Sequence, residues 1–243
     1  MARTHLLKGH FFSVMCIAAI LMSVSLPLGC SRDESRPQTK PSGAQGFTFF
    51  DLGTTSQYSH SVRKDLSQKL GSDAISQKNT MDLSIHYQGF LEKHFPAIAE
   101  LHRRLNWPPR RRVEHDTTKL VYRDARRQDT PFTYVELFFS DDSRKPLFFS
   151  ITAGPEAAAI VDTSIKKYGS PKEFEWGEGK SRTRFWEKGR DVFLISSFKN
   201  RRNDLEYLLC IYFAENLDEM LKTEEVRRLA EEEKIRKTGK SAF

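Results

Sequence analysis

The feature that most constrains how this chain can fold is a pair of aromatic-rich segments, residues 132–140 and 146–152. The first reads FTYVELFFS and the second PLFFSIT, and such a density of aromatic and β-branched residues is typical of strands. Residues 141–144 between them read DDSR, which is turn chemistry. The pattern predicts an antiparallel hairpin, because adjacent strands joined by a short turn pair in opposite directions.

Each predicted strand of this hairpin carries two adjacent phenylalanines, Phe138-Phe139 and Phe148-Phe149. Successive side chains of a strand point to opposite faces of its sheet. One member of each pair must therefore face away from the main core. Either the sheet is covered on both faces, or it exposes an apolar patch to a partner.

The remaining segments extend this hairpin into a mixed domain. Apolar residues at helical spacing predict helices over residues 59–106, a sheet-rich part spans 117–213, and a charged C-terminal helix covers 215–237. Within the sheet-rich part, Pro155 opens a helix that ends at Gly169. The order is helices followed by β-β-α-β-β-β-β-α. The predicted fold class is α+β, with an antiparallel sheet of about five to seven strands and helices packed on one side.

The N-terminus has the organisation of an export signal. Residues 1–10 carry Arg3 and Lys8 without an acid, and residues 11–29 carry no charge. The run ends in LPLGC, and its Gly29-Cys30 step resembles the lipobox of bacterial lipoproteins, although the preceding Pro and Leu depart from that pattern. The resemblance covers only the leader. It implies cleavage before Cys30 and attachment of diacylglycerol and an N-acyl chain, such as palmitate, to that residue.

These features divide the chain into a signal peptide (1–29), a lipidated Cys30 with a flexible polar tether (30–46) and a single α+β domain (47–243). Two alternatives stay open: an uncleaved signal anchor, and ordinary cleavage near Ser23–Ser25. The expected location is the cell envelope, membrane-anchored and facing the periplasm. In enterobacterial lipoproteins, a residue such as Ser31 after the lipidated Cys implies the outer membrane.

The charge balance is basic, with 39 Lys and Arg against 32 Asp and Glu. Removing the leader's Arg3 and Lys8 leaves a net charge of +5. A basic balance often indicates nucleic-acid binding, but an exported chain does not meet nucleic acid. The expected partners are the membrane, through the lipid anchor, and an envelope protein or anionic envelope component.

The most basic stretch, residues 102–127, contains the candidate patch for such an anionic partner. Clustered guanidinium groups bind phosphates and carboxylates bidentately, and a tryptophan beside two prolines adds an aromatic surface. The alternative is an exposed connection whose arginines pair with nearby acids. The candidate residues are Arg103, Arg104, Trp107, Arg110, Arg111 and Arg112.

No motif in the sequence points to catalysis, a cofactor or a metal. His86, His94 and His102 are eight residues apart, which separates them by about 80° around a helix, and no metal-ligand motif joins them. The remaining cysteine, Cys210, lies in the apolar run LEYLLCIYF and is expected to be buried. The expected function is a non-enzymatic binding or assembly module. The alternative is an envelope enzyme, hydrolase-like, whose catalytic groups are dispersed in sequence.

Overall fold

The computed structural model describes residues 46–125 and 129–241 of the chain. The predicted signal peptide, Cys30 and all but the last residue of the predicted tether lie outside these residues. The helices are α1 (His60–Leu70), α2 (Phe90–His94), α3 (Pro96–Leu105), α4 (Ala158–Tyr168) and α5 (Ala214–Ser241). The strands are β1 (Asp73–Asn79), β2 (His115–Arg123), β3 (Phe132–Ser140), β4 (Pro146–Ala153), β5 (Lys172–Trp176), β6 (Ser181–Lys188), β7 (Asp191–Lys199) and β8 (Leu205–Tyr212).

The described strands form one antiparallel sheet in the order β1-β2-β3-β4-β8-β7-β6-β5. Strands β1–β4 make one meander and β5–β8 a second, and the two join where β4 pairs with β8. Helix α4 connects β4, in the middle of the sheet, to β5 at its far edge. The α+β class with an antiparallel sheet is confirmed. The sheet has eight strands, more than the expected five to seven.

Helices cover both faces of the sheet, so the prediction of helices on one side only is wrong. Phe139 and Phe149 belong to a core that also contains residues of α1 and α4. Phe138 and Phe148 belong to the opposite core, with residues of α3 and the first turns of α5. The alternation of adjacent phenylalanines therefore requires both covers. Each fully buried side chain of this size contributes about 1.5–3 kcal/mol of hydrophobic free energy.

Residues 59–106 are not wholly helical, in contrast to the prediction. Helix α1 is present, with Ser59 accepting from the Val62 N–H at its N-terminus. Beyond it, β1 is an edge strand paired with β2, and most of its side chains are exposed. This strand carries little apolar pattern of its own. Its extended conformation comes from backbone pairing with a strand that is distant in sequence.

The segment between β1 and α2 is extended rather than helical. Met81, Leu83 and Ile85 are buried while Asp82 and Ser84 are exposed, which is a period of two. The prediction of a helix over these residues is therefore wrong, because the same apolar residues fit an extended segment that lies on the second core.

The C-terminal half follows the predicted pattern closely. Strand β3 has the predicted bounds, and Gly189 provides the positive φ of 59° in the short turn between β6 and β7. Helix α5 is longer than the predicted 215–237 and packs through its first turns, while residues 228–238 are exposed. None of the described helices combines the length and the apolarity needed to cross a bilayer.

Candidate binding groove

The predicted patch comprises Arg103 and Arg104 at the end of α3 and four residues of the connection between α3 and β2, residues 106–114, which we call the arginine loop. Its two ends are fixed, because Leu105 and His115 are buried. The Asn106 side-chain amide donates to the carbonyl oxygens of Met81 (3.1 Å) and His102 (2.9 Å). Between these fixed ends, residues 107–112 are exposed.

A groove of about 480 Å³ lies between the arginine loop and α5. Trp107 is 66% exposed, an unusual degree for an indole, and it lines this groove. The buried part of the lining is formed by His115 and Leu221. The other lining residues are mostly charged, of both signs: Arg104, Val113, Glu114, Asp116, Glu224, Glu225, Arg227, Arg228 and Glu231.

A partly buried ion pair joins the two walls of the groove. The His115 ring donates from Nδ1 to Glu224 Oε2 (2.7 Å) and from Nε2 to the Leu105 carbonyl (2.9 Å). Both ring nitrogens face acceptors, an arrangement that favours the doubly protonated, positively charged imidazole. Burial opposes that charge, but the bonds to Glu224 and Leu105 outweigh it and raise the pKa of His115. The second oxygen of Glu224 accepts from the Asp116 N–H (3.1 Å), which fixes the carboxylate at both ends.

Replacing His115 with glutamine should lower the free energy of unfolding by about 2 kcal/mol at pH near 6, because a charge-assisted bond is lost. The folded-state pKa is raised, so the stabilisation is fully present below the ordinary histidine pKa and is lost as the pH rises through the folded-state value. The cost of the substitution should therefore shrink in mildly alkaline buffer. Urea unfolding of both proteins across this pH range measures it.

The exposed His60 on α1 provides the control for this measurement. His60→Gln should change the unfolding free energy by less than about 0.5 kcal/mol, because its side chain is exposed. A cost of His115→Gln that does not vary with pH would show that the ring is neutral in the folded protein.

Three of the five predicted arginines are engaged by carboxylates of the domain. Arg103 pairs with Glu100 one turn earlier on α3. Arg112 pairs with Glu114 (2.9 Å) inside the arginine loop. The third, Arg104, points to α5.

Arg110 and Arg111 differ from the other three. Neither forms an ion pair with any residue in 46–125 or 129–241, and both are exposed. Among the predicted patch residues, only Arg110 and Arg111 lack a carboxylate partner in the described chain, and they follow Trp107 by three and four residues in the arginine loop.

Arg104 belongs to an ionic cluster centred on Asp218 of α5. The Asp218 carboxylate accepts from Arg104 (2.6 Å), contacts Arg190 of the β6–β7 turn (3.0 Å) and contacts Lys222 (2.9 Å). Its side chain is only 11% exposed. Hydrogen bonds from Arg104, Lys222 and Arg190 hold the pKa of Asp218 well below its usual range. The cluster fixes α5 against α3 and the sheet.

A serine–histidine pair on the second face of the sheet has a structural role. His86 Nε2 lies 2.8 Å from Ser196 Oγ, which also contacts Thr183 Oγ1 at 2.8 Å. Ser196 is 0% exposed, so a substrate cannot reach its hydroxyl. Burial lowers the pKa of His86 to about 4, so the ring is neutral at physiological pH. The described residues contain no cluster of three or more histidine, cysteine or acidic side chains arranged to hold a metal ion.

Cys210 is fully buried in β8, as predicted. Burial raises the pKa of its thiol to about 12, so the side chain stays protonated and acts as a small apolar group. Cys30, the predicted lipid attachment residue, lies outside the described residues.

The arrangement of the groove suits non-covalent recognition. Its lining supplies an exposed indole, paired carboxylates and guanidinium groups, but no serine, threonine or cysteine nucleophile. The one histidine of the lining is engaged at both ring nitrogens. Comparison of the chain with protein-family models, with curated proteins and with solved structures finds no match.

Proposed function

We propose that this chain is a lipid-anchored protein of a bacterial cell envelope whose domain binds a partner protein at the groove, without catalysing a reaction. The anchor is the lipid on Cys30, and the domain faces the periplasm. The leader ending in Gly29-Cys30 supports the anchor, and the polar residues 31–45 supply the tether between membrane and domain.

Exposed Trp107 at the groove is the observation that carries the proposal. Tryptophan is enriched among the residues that dominate binding energy at protein interfaces, because its large rigid surface is buried at low entropic cost. A monomeric domain gains nothing from leaving such a side chain in water. The groove beside it is large enough to receive side chains of a partner.

Two cations of the arginine loop, which lie outside the groove lining, indicate the chemistry of the partner. Arg110 and Arg111 lack carboxylate partners in the described chain, and planar guanidinium groups bind carboxylates with two parallel hydrogen bonds. We therefore propose that the partner presents an acidic segment next to an apolar side chain.

Photocrosslinking in intact cells tests this function. A photoreactive phenylalanine derivative, which keeps an aromatic ring at the position, replaces Trp107 in one strain and the exposed Lys166 of α4, on the other face of the sheet, in a second strain. We expect a discrete crosslinked protein from position 107 and none from position 166. The same crosslinks at both positions, or none at either, would contradict a binding surface at the groove.

Replacing both Arg110 and Arg111 with glutamine should reduce the yield of that crosslink by about tenfold, because two charge-assisted contacts are lost. The free energy of unfolding should change by less than about 0.5 kcal/mol, since both side chains are exposed. The matched control is the exposed pair Arg201 and Arg202 in the β7–β8 turn, also replaced with glutamine. Equal losses in the two variants would mean that general charge, rather than this surface, determines the association.

A further inference from the structure

A second cavity, of about 150 Å³, lies between α4 and the sheet on the face opposite the groove. The segment that leads into α1 closes one side of it through Thr48 and Phe49. The sheet supplies the rest of an apolar lining, together with Ile160 of α4. The sheet residues are Phe132, Ile151, Phe193, Leu209 and Ile211.

The size and lining of this cavity suit a compact apolar group. An engineered protein cavity of this volume, lined by the same residue types, stays dry and binds benzene. The present cavity is partly open to solvent, so that a ligand can enter without unfolding of the domain. A group of roughly the volume of a benzene ring fills it.

Polar groups on α4 line the cavity beside its apolar surface. Ser164 is 4% exposed, and its hydroxyl has no hydrogen-bond partner among the residues the structure describes. The enclosed side-chain atoms that lack a partner in the described chain are those of Tyr122 and Asp191, whereas the Ser164 hydroxyl opens onto the cavity, where solvent or a ligand can reach it. The apolar lining does not supply a partner, so the hydroxyl is available to a ligand that enters the cavity.

A cation lies one helical turn away from this hydroxyl. Lys167 lines the cavity, and its ammonium donates to Thr48 Oγ1 (2.7 Å). Within 46–125 and 129–241 no carboxylate pairs with it. An ammonium has three donors, and the hydroxyl of Thr48 engages only one of them. The site thus combines an apolar lining, a hydroxyl that faces the cavity and an exposed ammonium group with no carboxylate partner in the described chain.

We propose that this cavity binds a small monocarboxylate with a compact apolar body, such as an aryl-substituted or short-chain fatty acid. The apolar body fills the space under α4, and the carboxylate accepts from Lys167 and from the Ser164 hydroxyl. The site is separate from the groove and does not depend on the function proposed above. For a ligand of about ten non-hydrogen atoms the expected affinity is weak, with a Kd of about 0.1–1 mM.

The test uses the full chain in phospholipid nanodiscs, which keep detergent out of the cavity. Phenylacetate is the probe, benzyl alcohol is the neutral analogue and acetate lacks the apolar body. Methyl signals of Ile151, Ile160 and Ile211 report on the cavity by nuclear magnetic resonance, and those of Ile98 and Ile235 lie outside its lining. We expect phenylacetate to shift the first three signals with a saturable curve, and to bind at least tenfold more tightly than benzyl alcohol or acetate.

Substitutions on α4 distinguish the contribution of the Lys167 charge to binding from that of the cavity volume. Lys167→Met should weaken phenylacetate binding about tenfold and leave benzyl alcohol unaffected, while Lys166→Met, one residue away and outside the lining, should change neither. Ser164→Leu should fill the cavity and abolish binding of both. Failure of phenylacetate to shift the three cavity signals, equal binding of phenylacetate and benzyl alcohol, or equal effects of the two lysine substitutions would each overturn the proposal.

Discussion

Replacing Asp218 with alanine should lower the free energy of unfolding by about 3 kcal/mol at neutral pH. The substitution removes a nearly buried carboxylate that contacts Arg104, Arg190 and Lys222, and it leaves three neighbouring cations to repel one another. Simple surface ion pairs contribute about 0–1 kcal/mol, so an effect of this size distinguishes a shared, shielded carboxylate from an exposed pair. Urea unfolding followed by tryptophan fluorescence measures the difference.

The adjacent Glu219 is the matched control, because it lies on the same helix and pairs with Lys145 (2.8 Å) in solvent. Glu219→Ala should cost less than about 1 kcal/mol. The cost of Asp218→Ala should also decline in acid: the folded-state pKa of Asp218 is lowered, so its stabilisation is present above the ordinary aspartate pKa and is lost as the pH falls through the folded-state value. Equal costs for the two substitutions at neutral pH would refute the role of the cluster.

Replacing Cys30 with serine should abolish lipid attachment and leave a larger, unprocessed precursor. The expected modification needs the sulfur of Cys30, and the acyl chains hold the domain at the membrane, since each buried CH₂ contributes about 0.8 kcal/mol. Metabolic labelling with a palmitate analogue, followed by membrane fractionation, measures both effects. The leader's Cys16 provides the control, because Cys16→Ser should keep full label.

The same labelling experiment separates the remaining alternatives for the N-terminus. Equal label in the wild type and in Cys30→Ser would end the lipoprotein proposal. An unlabelled wild-type chain that stays in the membrane fraction would indicate an uncleaved signal anchor. An unlabelled chain found free in the periplasm would indicate ordinary cleavage upstream of Cys30.

The contacts that fix α5 were not expected from the sequence, although one signal for them exists. Leu217, Leu221 and Glu224 follow the spacing of a single helical face, so a carboxylate occupies a position of the packed stripe. Such a carboxylate needs a buried partner, so an ion pair at this apolar position could have been predicted from the sequence. The identity of this partner, His115, could not be predicted, because it lies 109 residues earlier in the chain.

The hairpin of β3 and β4 and the helix before β5 could be predicted because their determinants are local. Side-chain alternation, a polar turn and a helix opened by proline and closed by glycine all lie within about ten residues of the structure that they specify. The adjacent phenylalanine pairs also limited the sheet to two possible environments: covered on both faces, or exposing an apolar patch on one of them. They did not decide between them, because the covering helices lie elsewhere in the chain.

The sequence by itself therefore determined the α+β class, most of the strands and the position of an exposed arginine- and tryptophan-bearing loop. Only the tertiary structure decided that β1 is a strand, since its conformation depends on backbone pairing with β2. Only the tertiary structure decided which arginines are free, because Arg104 meets Asp218 across 114 residues of chain. Local conformation follows from neighbouring residues, whereas the environment of a charge depends on distant segments that only folding brings together.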